Sequence, residues 1–155
     1  LEILAKEIDL TSKTIERIDG FAHSIKNWAI LVWAGSVSVF LGTEELRKYL
    51  ILTAFLPLMF WTSDAWWRYL QKRSVVRQRK IAEFLNSQDF VDSFEARQFK
   101  NFYLLDPVGA THRKDEDYRK AVNISKIFRY KEISWFYGGL MLLSVVLGLF
   151  ALFLF

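Results

Sequence analysis

Along the first 26 residues a seam position recurs at Leu1, Leu4, Ile8, Thr11, Ile15, Ile18, Ala22 and Ile25, alternately three and four apart. This heptad rhythm, held for over three repeats, predicts an amphipathic helix over 1–26 that packs against other helices. Thr11 is the one polar seam residue, and Gly20 falls on the outer face, where it weakens the helix only slightly. Two packings satisfy the seam: against the chain's own polar region, or against copies from other subunits. The flanking positions lack the charge pairs of a dedicated zipper.

The pattern then changes. Trp28 to Leu41 is predominantly apolar and predicts a first membrane span, extended by Ile25 and Leu46. It is short for a bilayer core of about 30 Å, so tilt or local thinning is expected. Ala34, Ser38 and Gly42 repeat at every fourth position, a small face that lets helices approach closely. Ser36 and Ser38 are also candidates for lining a polar path, although plain helix packing is the favoured reading. Thr43 to Lys48 predicts a tight outer turn.

From Tyr49 to Lys80 the chain reads YLILTAFLPLMFWTSDAWWRYLQKRSVVRQRK. A second apolar span is followed by Trp61, Trp66 and Trp67, then by Arg68, Lys72, Arg73, Arg77, Arg79 and Lys80. That order places the end of the span in the cytoplasm. Pro57 is expected to kink the span, because proline removes a backbone donor and clashes one turn back, and so is a candidate gating element. Asp64 is the one ionisable side chain inside an apolar stretch. A carboxylate at mid-bilayer costs about 2.5–3.5 kcal/mol, so it should face protein or water. Arg68 lies one helical turn on, and a structural ion pair is favoured over a proton or ion path.

The second helix should continue to about Asn86, projecting roughly 28 Å into the cytoplasm, with Val75, Val76, Ile81, Phe84 and Leu85 as its packing side. Residues 87–105 interleave aromatics with cations: Phe90, Phe94, Arg97, Phe99, Lys100, Phe102 and Tyr103. Such interleaving can stack single-stranded nucleic acid, while the helical spacing of Phe90, Phe94 and Arg97 favours packing. Asp106 to Gly109 reads as a turn, and Thr111 to Tyr118 as polar surface. A last helix is expected from near Asp115, running into a third span at Ile133–Phe155. Lys126, Arg129, Lys131, Trp135 and Tyr137 mark the cytoplasmic start of that span. The expected class is all-α and integral to the bacterial inner membrane, with the N-terminus cytoplasmic and the C-terminus periplasmic. Its regions are a cytoplasmic helix (1–26), a transmembrane hairpin (27–67), a basic helical region (68–132) and a third span (133–155). The first residues are mildly acidic and unlike a cleavable signal peptide.

Composition narrows the chemistry. There is no cysteine and only two histidines, His23 and His112, which excludes disulfides, Cys-ligated zinc and thiol nucleophiles. No Gly-rich phosphate loop, nucleophile–base pair or paired carboxylate stands out, so neither an enzyme nor a cofactor is expected. Charge is uneven: residues 68–132 hold fifteen Lys/Arg against nine Asp/Glu. Cations beside a span are topogenic, which explains Arg68, Lys72 and Arg73. Arg77, Arg79 and Lys80 begin more than a turn beyond the membrane, where a polyanion would account for them. The candidate nucleic-acid-binding residues are therefore Lys72, Arg73, Arg77, Arg79, Lys80, Arg97 and Lys100; the candidate pore or gating residues are Ser36, Ser38, Pro57 and Asp64. So small a cytoplasmic core is marginal alone, so a homo-oligomer is expected, with a tetramer as the expected stoichiometry.

The segments IDGFAHSIKNWAILVWAG, FLPLMFWTSDAWWRYLQKR and IFRYKEISWFYGGLMLL resemble those of small bacterial three-span membrane proteins. Phe60, Trp61, Asp64 and Arg68 match a "FW..D" segment leading into an arginine-rich stem. Trp135, Phe136, Tyr137 and Gly138 match an "S..WFYG"-like opening of the last span. The nearest functional likeness is to the membrane effector of the Hailong anti-phage system. That resemblance implies an oligomeric channel held shut by a DNA oligomer from a partner nucleotidyltransferase, whose opening depolarises the infected cell. The alternative expectation is a non-conducting membrane scaffold or docking protein, in which the basic stem grips anionic lipid.

Overall fold

The computed structural model describes residues 2–99, 101–103, 106 and 114–154. Every regular element among them is helical: α1 (Glu2–Gly42), a 3₁₀ segment (Glu44–Ala54), α2 (Phe55–Leu85), α3 (Gln88–Glu95), α4 (Glu116–Ala121), α5 (Ile124–Phe128) and α6 (Lys131–Leu154). The chain divides into two compact units. One comprises Leu1–Gly20 and Tyr69–Asn123, the other Phe21–Arg68 and Ile124–Phe155. Helices α1 and α2 contribute to both.

In the first unit, α1 buries Leu4, Thr11 and Ile18 and half-buries Ile8 and Ile15. The heptad seam thus packs within its own chain. Thr11 spends its hydroxyl on the carbonyl of Glu7, one turn back, which makes a polar seam residue tolerable. Gln71 and Gln78 on α2 donate to Asp19 and Ser12 on α1, at 2.6 and 2.8 Å. Val76, Tyr118 and Val122 form one apolar cluster. Phe84 centres another, with Phe102 stacked on it at 4.2 Å and Phe90 edge-on at 5.8 Å.

In the second unit, Val37, Leu50 and Ala151 form a core with Trp33, Phe40 and Leu147 around it. The Trp33 indole donates to Ser144 Oγ at 2.7 Å, tying α1 to α6. Gly148 lets α6 lie directly on the 3₁₀ segment, where a β-carbon would stand 3.0 Å from the backbone of Ile51. Gly138 and Gly139, on the same helix, have nothing within 4 Å of an added β-carbon. Arg47 Nε donates to the carbonyl of Leu41 at 3.0 Å, satisfying the C-terminus of α1.

Two stretches are long and apolar enough to cross a membrane, one in Glu2–Gly42 and one in Tyr118–Phe153. Only 11% and 22% of their apolar windows are buried, whereas the core helix of a water-soluble protein would be mostly covered. Trp28, Leu31, Val39, Leu142, Phe150 and Phe153 all point outward. These helices suggest a membrane location.

Several expectations change in detail. The outer turn at Thr43–Lys48 is instead the start of the 3₁₀ segment. Pro57 does not kink an established α-helix. It is buried in the first turn of α2, where a missing backbone donor costs least. The helix expected from Asp115 onward is broken into α4, α5 and α6. The turn at Asp106–Gly109, Asp106 apart, lies outside the described residues.

Candidate functional site

The second unit holds a buried polar cluster around Asp64. Its carboxylate is inaccessible to water, and Arg68 comes from the next turn of α2, with Nε 3.4 Å from Oδ1. Tyr137, near the start of α6, donates its hydroxyl to the other carboxylate oxygen at 3.3 Å. Arg68 also reaches Glu132 at 4.0 Å. An aromatic wall closes the cluster. Trp61 stacks on Tyr137 at 6.4 Å and donates to the carbonyl of Phe128, which also accepts from Ser134. The cluster holds a carboxylate, a guanidinium and a phenol in one dry place. As arranged, it neutralises Asp64 rather than presenting it to a cation. The sequence offers Arg68 through its i, i+4 offset, but Tyr137 is separated from Asp64 by 73 residues and carries no local signal.

The first unit holds a second buried pair. Arg77 is fully buried, and its Nε donates to Glu7 Oε1 at 2.9 Å. Its terminal nitrogen bonds the same oxygen and also the carbonyl of Tyr103, at 2.6 Å. The guanidinium lies 4.7 Å over the ring of Phe102, and the backbone N–H of Asp106 points at Glu7 from 3.4 Å. Arg73 is buried as well, donating to the Tyr118 hydroxyl at 2.9 Å and lying over Tyr69.

These placements correct the expected basic face. Arg77 does not need an external polyanion, because Glu7 supplies the countercharge from within the chain. Arg73 is likewise turned inward. Lys72 is half-buried. Arg79 is exposed and shares Glu83 with the less exposed Lys80, at 3.5 and 3.2 Å. Arg97 is exposed at the end of α3, and Lys100 lies outside the described residues. On α1, the exposed Lys13 ammonium is held above its ordinary pKa by its 2.7 Å hydrogen bond to Asp9.

The candidate pore residues are dispersed. Ser36 is half-buried, and Ser38 is exposed with its hydroxyl donated to the carbonyl of Ala34 at 2.9 Å. Pro57 is buried near the junction of the 3₁₀ segment with α2. Among the described residues no three His, Asp or Glu side chains converge as a metal site requires. No known protein family, curated protein or solved structure matches the chain.

Proposed function

We propose that the chain is a homo-oligomeric membrane channel whose opening is set by an anionic oligonucleotide at the exposed cations of the first unit. The observation that carries this reading is the outward-facing apolar surface of α1 and α6 in the second unit. It is combined with solvent-facing Arg79 and Arg97 in the first. The stretch Tyr49–Trp67 supplies a third span. Its 3₁₀ portion rises faster per residue than an α-helix, so the stretch extends about 31 Å, close to the hydrocarbon thickness. The Trp and Lys/Arg order puts the amino end and the basic region in the cytoplasm and the carboxyl end in the periplasm. Phosphates would bind Arg79, Lys80, Lys72 and Arg97, with Arg73 and Arg77 serving the fold. The resemblance of the Asp64 and Tyr137 segments extends the reading to an anti-phage effector that depolarises the cell, with a nucleotidyltransferase as its partner.

A non-conducting scaffold is the second reading. It is favoured by the pairing of Asp64 with Arg68 and its hydrogen bond from Tyr137, and by the bond of Ser38 to its own helix. Ion flux separates the two. Liposomes bearing the purified chain and a potassium gradient should lose that gradient, reported by a potential-sensitive dye, at a rate that changes with short single-stranded DNA. Flux no faster than in protein-free liposomes, with and without the oligonucleotide, would leave the scaffold.

A further inference from the structure

The end of α3 borders a half-open pocket of about 460 Å³ within the first unit, lined by Leu4, Phe90, Ser93, Phe94, Arg97, Gln98 and Phe99. That volume lies in the range of small-molecule sites, which are mostly apolar with a few placed polar groups. Leu4 forms its buried floor, while Phe94 remains 67% exposed and Phe99 37%. Large aromatic area is thus left accessible along this pocket, which a ligand's apolar body would cover.

The polar component is specific. Helix α3 ends in a Schellman motif: the N–H of Gln98 bonds the carbonyl of Ser93 at 3.1 Å, and that of Arg97 bonds Phe94 at 3.3 Å. The motif puts Arg97 at φ 51°, a left-handed position that glycine ordinarily fills. The chain places an arginine there instead. Its guanidinium has no ion-pair partner among the described residues, unlike that of Arg77 or Arg68. Ser93 has committed its hydroxyl to the carbonyl of Asp89, which leaves Gln98 as the other polar side chain on the lining.

We infer that this pocket binds a small amphipathic organic anion, its apolar body among Phe90, Phe94 and Phe99 and its single acidic group on Arg97. A nucleotide fits less well. Its base edge carries several donors and acceptors that would go unpaired among phenylalanines, which is costly. The inference does not depend on channel activity; it draws on Arg97, one of the cations proposed above to meet phosphates, so the competitor that displaces the probe separates the two readings.

The test is photo-labelling of the full chain in zwitterionic lipid nanodiscs with 4-benzoylbenzoate, an aromatic ketone carrying one carboxylate, followed by peptide mapping. Adducts should concentrate on residues 90–99, and excess octanoate should suppress them. In Arg97→Gly labelling should fall about tenfold, the loss of one charge-assisted contact. That variant should keep its thermal midpoint, because glycine suits the left-handed position. Arg97→Lys should recover most of the labelling. Adducts spread along the chain, equal labelling of Arg97→Gly, or displacement by dAMP or oligothymidylate but not by octanoate would each overturn the inference.

Discussion

Glu7 and Arg77 lie 70 residues apart in the chain and close an ion pair that is shut off from water. The pair joins α1 to α2, and through the carbonyl of Tyr103 it also holds the segment after α3. Charges so deeply buried are costly to desolvate, and their mutual attraction offsets that cost only while both partners are present.

Removing one partner should therefore be worse than removing both. Glu7→Gln and Arg77→Met should each destabilise the first unit by about 3–5 kcal/mol, because an uncompensated buried charge or dipole remains. The double variant Glu7→Leu with Arg77→Met should recover most of that loss. Every tryptophan lies in the second unit, so thermal unfolding of the three detergent-solubilised variants is followed by far-ultraviolet circular dichroism; equal losses from all three would deny the pair its structural role.

Gly148 should be intolerant of any side chain. A β-carbon there would lie 2.9 Å from that of Ile51 and 3.0 Å from its backbone, so α6 must shift. Gly148→Ala should cost about 1–3 kcal/mol, the usual range for overpacking. Gly139→Ala, with nothing within 4 Å, should leave the melting temperature nearly unchanged. The two variants differ by the same single methyl group, so their comparison isolates the helix contact.

The polyanion surface should be carried by exposed cations and not by buried ones. Arg79→Glu with Lys80→Glu should weaken binding of short single-stranded DNA and flatten its salt dependence, since fewer counterions are released. Arg77→Gln should act through stability, leaving the salt slope of the folded fraction unchanged. Fluorescence anisotropy across a salt series distinguishes these outcomes.

Much of the architecture was legible because it rests on local spacing. The seam from Leu4 to Ile18 and the Asp64–Arg68 offset are both written in adjacent turns. The extent of α2, ending at Leu85, follows from an unbroken run of helix formers. What escaped depends on distant partners or on packing. Glu7 stands beside a seam position and reads as a solvated residue, until Arg77 arrives from another helix. Arg77 in turn sits in a run of cations and looks like part of a charged face. Tyr137 reads as an interfacial aromatic and gives no hint of Asp64. The long 3₁₀ segment is unusual for its length, and the bare face of Gly148 opposite Ile51 is visible only in three dimensions. The breaks at Asn123 and before Lys131, which divide the expected last helix, have no proline or glycine to announce them.

The membrane architecture underlies all of this, and thiol accessibility tests it most directly. The native chain has no cysteine, so a single introduced cysteine reports one position. In intact inner-membrane vesicles of known orientation, Glu83→Cys should react with a membrane-impermeant maleimide only from the cytoplasmic side. Glu45→Cys should react only from the periplasmic side, and Leu142→Cys from neither. Labelling of positions 45 and 83 from the same side, or ready labelling of position 142 by the water-soluble reagent, would contradict the account.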